Sequence, residues 1–130
     1  MKLKVISSTK NIFESDNIVE LYAPCTEGIV GILPGYTNFI STLEIGVLKI
    51  NDGKEIFKII LNGGMIQVVK DVILVLADEA MHTDALIKDE IEKAINDAQK
   101  KIASKIEPSE LIRLEKQLRY EKFKEQQLGS

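Results

Sequence analysis

Apolar positions recur with two different periods along this chain, and the change falls near Met81. Before it, β-branched and apolar residues lie in short stretches: Leu3 to Ile6, Ile18 to Ala23, Val47 to Ile50, Glu55 to Leu61, Met65 to Val69 and Val72 to Ala77. Stretches of this kind bounded by turn residues predict strands. Asn51-Asp52-Gly53-Lys54 and Asn62-Gly63-Gly64 offer the left-handed backbone positions that tight hairpins need, and Lys70-Asp71 supplies a third reversal. Short strands on short connections imply antiparallel pairing. Ile56-Phe57-Lys58-Ile59-Ile60 is apolar on both faces, which a single sheet with one wet face would leave unburied. Two packed layers of antiparallel sheet are therefore expected.

After the change, Ile87, Ile91, Ala94, Ile95, Ala98, Ile102 and Ile106 fall at spacings of three and four, one apolar stripe on a helix. Asp84, Asp89, Glu90 and Glu92 gather toward its start and Lys100, Lys101 and Lys105 toward its end, which complements the helix dipole. Glu107-Pro108-Ser109 interrupts the pattern, because proline lacks an amide proton and disfavours a helical residue before it. Leu111, Leu114 and Leu118 then form a narrower stripe on a second helix, able to return antiparallel along the first. The expected architecture is β followed by α: a sandwich over residues 1–82 and a two-helix hairpin over 83–130.

With 130 residues and 45% hydrophobic content, the chain can bury a real core without staples, and large multidomain readings are excluded. A net charge of −3 gives no general pull toward nucleic acid or an anionic membrane. Basic residues in the second helix admit an RNA-binding adaptor as one reading, but at 5% aromatic content the stacking platforms of single-strand recognition are scarce. The single Cys25 excludes an intramolecular disulfide and any multi-cysteine metal site. The opening Met1 to Ser8 alternates charged and apolar residues without the apolar core of a signal peptide, so export is not expected. The run Val72 to Ala77 is far short of the roughly 20 residues that cross a bilayer, so any membrane contact is expected to be peripheral.

Catalysis finds little support. The one histidine, His82, stands at the expected junction without an identifiable partner set, and reads as a hinge or surface residue. Asp78-Glu79 are neighbours on or beside a strand, where successive side chains point to opposite faces and do not converge. Neither the Walker nor the dinucleotide glycine pattern occurs, so Gly28, Gly31 and Gly35 read as turn and bulge glycines.

The most specific stretch is Glu27-Gly28-Ile29-Val30-Gly31-Ile32-Leu33-Pro34-Gly35-Tyr36-Thr37-Asn38-Phe39. It resembles the epsilon subunit of F-type rotary ATP synthases, whose E-G-x-x-G-x-x-P-G-H segment is matched in register by Glu27, Gly28, Gly31, Pro34 and Gly35, with Tyr36 in place of histidine. The resemblance continues through Thr42 to Ile50, Gly63-Gly64 and Leu76-Ala77-Asp78-Glu79-Ala80, and so covers nearly the whole chain. It implies a flattened sandwich of about ten strands and two helices, in a non-catalytic subunit that turns with the central stalk and couples ion flow to ATP synthesis. The implied partners are the gamma subunit and the c-ring, at the cytoplasmic face of a bacterial plasma membrane. On this resemblance Glu27, Gly28, Gly31, Pro34, Gly35 and Tyr36 belong to the gamma and c-ring interface, the glycines and proline shaping backbone and Glu27 and Tyr36 offering side chains. Some relatives carry an acid where Ile29 stands, so apolar packing is expected there.

Many family members restrain ATP hydrolysis when the second helix extends toward the acidic surface of the alpha and beta subunits. Here Arg113, Lys116, Arg119 and Lys122 recur every three residues as a slowly spiralling basic strip, and Lys124 extends its positive end. A solvated helix face is the plain alternative, since Glu115 and Glu121 interleave. Some relatives bind ATP through an I/L-D-x-x-R-A motif. The best register here is Asp89-Glu90-Ile91-Glu92-Lys93-Ala94, with Glu90 at the acid, Lys93 at the arginine and Ala94 matching, while Arg113 and Arg119 are further candidates to reach a nucleotide. Lysine lacks the bidentate fork of arginine and the extra carboxylate repels phosphate, so a stand-alone ATP-sensing hairpin is the second reading; no cofactor is required.

Overall fold

The computed structural model describes residues 1–8, 10–104 and 106–128. Lys105, assigned above to the basic end of the first helix, lies outside them. The chain divides into two compact units, Met1–His82 and Thr83–Ser130.

Among its described residues the first unit contains eight strands: β1 (Lys2–Ser7), β2 (Lys10–Ser15), β3 (Glu20–Cys25), β4 (Gly28–Ile32), β5 (Phe39–Asn51), β6 (Ile56–Val69), β7 (Val72–Ala77) and β8 (Ala80–His82). They hydrogen-bond in the order β2-β1-β7-β6-β5-β3-β4, with β8 added to β6. The two long central strands organise everything else. On β5 the inward positions are Phe39, Ser41 and Leu43 before Glu44, but Gly46, Leu48 and Ile50 after it. On β6 the buried set changes phase likewise, from Ile59 and Leu61 to Ile66 and Val68. Because side chains alternate strictly along a strand, such a change of phase marks a bend where the strand passes from one layer to the other. One half of each long strand therefore belongs with β3, β4 and β8, the other with β7, β1 and β2. Counted half by half, eight strands supply the ten places of the expected sandwich.

The bend itself corrects the sequence reading. Asn62-Gly63-Gly64 is not a hairpin turn; β6 runs on through it, paired to β5 in one register from Phe39↔Val68 to Asn51↔Ile56. The glycines are needed for backbone, with φ of 75° at Gly63 and 135° at Gly64. A Cβ on Gly64 would stand 2.2 Å from the Leu76 carbonyl oxygen. At Gly46 on β5 a Cβ would meet Pro24 at 2.4 Å, and β3 shifts register against β5 between Tyr22 and Cys25. The other two expected reversals are present: Asp52 accepts backbone bonds from Lys54 and Glu55 around Gly53, and Lys70-Asp71 turn with φ of 48° and 62°. Pairing is not antiparallel throughout, since β1 runs parallel to β7. Chain-local turns cannot announce that pair, which joins residues some seventy positions apart. The inner faces close over one apolar cluster that includes Leu3, Leu21, Leu48, Ile59, Leu61 and Ile73.

The second unit opens with a short 3-10 turn (Thr83–Ala85), followed by α1 (Lys88–Ala103) and α2 (Pro108–Leu128), which pack on each other as a hairpin. Asp89 and Glu90 occupy the first turn of α1 and Lys100 and Lys101 its last, in the sense the dipole favours. Ser104 ends α1, its amide and hydroxyl both donating to the Lys101 carbonyl, so Ile106 falls outside the helix rather than on its stripe. Pro108 is the first residue of α2, where its missing amide proton costs nothing. Ile91, Ile95 and Ala98 are buried on α1; on α2 the buried set is Leu114, Tyr120, Glu121 and Lys124.

Candidate functional site

The glycine-rich segment after β3 is partly a strand. Cys25 and Gly28 pair across the β3–β4 connection, and Gly28 takes a φ of 129° there. Gly31 lies under the Tyr22 ring, so close that a Cβ would be 2.9 Å from it. Beyond β4, Leu33-Pro34-Gly35-Tyr36 forms a tight turn closed by a bond from the Tyr36 amide to the Leu33 carbonyl, 3.0 Å. Proline at its second place and glycine at φ 85° in its third are what a type II turn requires. The turn is tied to the β6–β7 reversal at two points: the Gly35 amide donates to Asp71 Oδ1 at 2.8 Å, and the Lys70 amide donates to Asn38 Oδ1 at 3.2 Å. Asp71 was read only as part of a reversal and Asn38 only as part of the glycine-rich stretch, although Asn and Asp beside turns are the usual acceptors of such bonds.

At this end of the sandwich Glu27, Gly28, Gly31, Pro34 and Gly35 are exposed. Tyr36 is half-buried, edge-on to Phe39 with ring centroids 6.0 Å apart, so part of its role is internal packing. The largest apolar exposure belongs to a residue between the glycines, Ile29 at 78%, with Leu33 at 53%. A cleft of about 390 Å³ beside the segment is lined by Thr26, Glu27, Val30, Phe39, Ile40 and Ser41. Cys25 borders it, its thiol pushed above the ordinary value by burial and only partly drawn back by a hydrogen bond from Ser41.

His82 is engaged structurally: its Nε2 donates to the Ile12 carbonyl at 3.0 Å and its ring lies beside Phe13. Among the described residues no group of three or more His, Cys, Asp or Glu side chains is placed to hold a metal ion. On α2, Arg113, Lys116, Arg119 and Lys122 are all exposed, and Arg113 lies 3.6 Å from Glu110. Lys124 does not extend this strip. It is buried, bonded to Glu121 at 3.0 Å and set over the Tyr120 ring at 4.5 Å. On α1, Glu90 and Lys93 are exposed and Ala94 is half-buried; among the described residues no hydrogen bond or ion pair joins Glu90 or Lys93 to Arg113 or Arg119.

The sandwich finds its counterpart in a family described as ATP synthase, delta/epsilon chain, beta-sandwich domain, whose profile matches residues 1–83. The chain belongs to this ATP synthase family. It is 31% identical over 121 residues to an ATP synthase epsilon chain of Acaryochloris marina (strain MBIC 11017), a match spanning 93% of this chain and 83% of the relative. An ATP synthase epsilon chain of Pelotomaculum thermopropionicum is 30% identical over 104 residues, 80% of this chain and 77% of the relative. The fold is shared with a chain in the Euglena gracilis mitochondrial ATP synthase structure of OSCP, F1 and c-ring: TM-score 0.79, 21% identity, 97% of this chain and 79% of that one. It is shared also with a chain of the Tetrahymena thermophila mitochondrial ATP synthase central stalk and c-ring: TM-score 0.66, 15% identity, 95% and 94% covered. As a member of the ATP synthase epsilon-chain family, the chain is a non-catalytic subunit and not itself an enzyme. No helix among its described residues is long and apolar enough to cross a membrane.

Proposed function

We propose that this epsilon subunit couples transmembrane ion flow to ATP synthesis and, through α2, restrains ATP hydrolysis. The sandwich seats on the gamma subunit and the c-ring at its Glu27–Tyr36 end, on the cytoplasmic face of a bacterial plasma membrane. The observation that carries the regulatory part is the exposure of Arg113, Lys116, Arg119 and Lys122 along one helix, while its apolar Leu114 is buried. Four exposed cations winding along one helix suit an acidic surface of the alpha and beta subunits, where each gains more as water is excluded. Nothing in this role calls on ATP as a ligand of the hairpin.

The test adds full-length protein back to the cognate complex depleted of this subunit, with binding and ATP hydrolysis read together. A variant carrying Arg113→Glu, Lys116→Glu, Arg119→Glu and Lys122→Glu is expected to bind as wild type and to leave hydrolysis unrestrained, with the difference largest at low salt. Equal restraint by both proteins at low salt would remove the basic strip from the mechanism.

A further inference from the structure

The hold on α2 is concentrated in its far half. From Pro108 to Arg119 only Leu114 is buried, whereas Tyr120, Glu121 and Lys124 stand close together at 2%, 9% and 8% exposure. Two of those three are charged. The Lys124 ammonium donates to Glu121 Oε1 at 3.0 Å and lies 4.5 Å from the centre of the Tyr120 ring. Among the described residues Lys124 is the one hydrogen-bond donor to the Glu121 carboxylate, a group able to accept about four. The pairs Lys88–Glu92 on α1 and Glu110–Arg113 on α2 are, by contrast, open to solvent. Both contacts of Lys124 are internal to α2, because Tyr120, Glu121 and Lys124 lie within little more than one turn of a single helix. They travel with α2 wherever it goes. What docking removes is the hydration of two charges, and among the described residues no ion pair from either one to another element is formed in return. A buried pair with so few further bonds holds less firmly than apolar side chains of the same volume.

We propose that the Glu121–Lys124 pair is a counterweight built into α2, lightening the hold of Leu114 and Tyr120 so that the helix can leave its docked position and return to it. Its bearing on ATP hydrolysis rests on the restraining role proposed above. Leucine and methionine at these two positions would add to the apolar hold and keep α2 docked. A single charge there would do the reverse, since docking would then bury it without its partner. With both present, the charges neutralise each other in the docked state and regain water in the released one, so neither state is closed off. The break between the helices allows the movement: Ser104 ends α1 and Pro108 opens α2, so α2 can move as a unit without unwinding α1.

Release is read on the full-length chain by the labelling rate of a thiol at a buried position of α2, Leu114→Cys in a Cys25→Ala background, with far-UV helicity followed in parallel. When reclosing is fast, that rate tracks the population of released α2. Adding Glu121→Leu with Lys124→Met is expected to slow labelling about fivefold at unchanged helicity. Lys124→Ala, which strands the carboxylate, is expected to speed it about tenfold or more. Lys88→Gln with Glu92→Gln, the solvent-exposed pair of α1, is expected to label at the parent rate. If leucine and methionine overpack the site and helicity falls, Glu121→Gln with Lys124→Met removes both charges at nearly the same volume and carries the test, with labelling again slowed. Labelling of the charge-free variants at the parent rate or faster would overturn the proposal, because the pair would then be holding α2 down. Added to the complex depleted of this subunit, the charge-free variant with its native Cys25 and Leu114 is expected to restrain ATP hydrolysis less than wild type. Absence of restraint by wild type itself would remove the role proposed above, and the labelling rates would then decide this inference by themselves.

Discussion

At Gly64 a methyl group would stand inside the van der Waals shell of Leu76 and Ala77 backbone atoms; along α2, by contrast, a lysine and a glutamate are buried beside a tyrosine. The sandwich reaches its shape by removing side chains where strands bend, and backbone of the neighbouring strand is close-packed against the bend. The hairpin holds its partners with a narrow apolar stripe and places a charged pair among its most buried residues. A close-packed bend tolerates almost no change, whereas a buried ion pair is replaceable as a unit and costly only when half of it is removed. This contrast suits the role proposed above, in which one unit stays rigid and the other exchanges contacts.

The largest expected effect is at the bend. Gly64→Ala places its Cβ 2.2 Å from a carbonyl oxygen and 2.8 Å from the Ala77 Cα, both backbone atoms that cannot swing aside, at a φ of 135°. Urea unfolding should show a loss of about 4 kcal/mol or more, a large share of the stability of a small domain. Gly28→Ala and Gly35→Ala share a positive φ but meet nothing within 4 Å, so each should lose only about 1 to 2 kcal/mol of stability to backbone strain. If all three variants cost the same, crowding at the bend is not what distinguishes the sandwich.

Next in size is the buried pair of α2. Lys124→Ala strands the Glu121 carboxylate, whose side chain is only 11% exposed, and also removes the cation from the Tyr120 ring. Full-length protein followed at 222 nm should lose about 3 kcal/mol. Glu121→Leu combined with Lys124→Met should come back to within about 1 kcal/mol of wild type. A double variant as weak as the single one would mean that the pair fixes the hairpin arrangement and not merely its own charges.

The same contrast governs what could be read from the sequence. Features set by near neighbours were legible: the Asp52-Gly53 and Lys70-Asp71 reversals, the dipole-matched charges of α1, Pro108 at the start of α2 and the Pro34-Gly35 turn. Features set by distant strands were not. Asn62-Gly63-Gly64 has the composition of a hairpin, and only the β5 register and the Leu76 backbone show that it bends a continuing strand. The β4 strand, Gly-Ile-Val-Gly-Ile, reads as a loop because its glycines answer to Cys25 and Tyr22 on a neighbour. In the functional segment the exposed backbone was anticipated, but the part-burial of Tyr36 depends on Phe39 and the core. The apolar outer face of β1, β5, β6 and β7 was hidden for a similar reason: apolar residues on both faces of Val72 to Ala77 look like double-sided burial until the register shows one side open. Lys124 was misplaced because a three-residue repeat of cations extends to it smoothly, while its burial depends on tertiary contacts the repeat does not record.

The smallest expected effect lies at the sandwich's exposed edge, where charge can be altered without touching the core. Asp52 is half-buried at its turn, and its carboxylate accepts the Lys54 and Glu55 amides at 2.9 and 2.7 Å; these backbone bonds, the Glu55 one foremost, hold its pKa below the ordinary carboxylate value. A depressed folded-state pKa means that the unfolded chain takes up the proton first as pH falls. The stabilisation is therefore fully present above the ordinary value of about 3.9 and disappears as pH drops through the lower folded value. Asp52→Asn keeps an acceptor oxygen but removes the charge, so its Tm should lie below wild type at neutral pH and converge on it in acid. If the gap were instead constant with pH, the turn would depend on Asp52 for its shape alone, and even the exposed reversals of the sandwich would be held by geometry rather than charge.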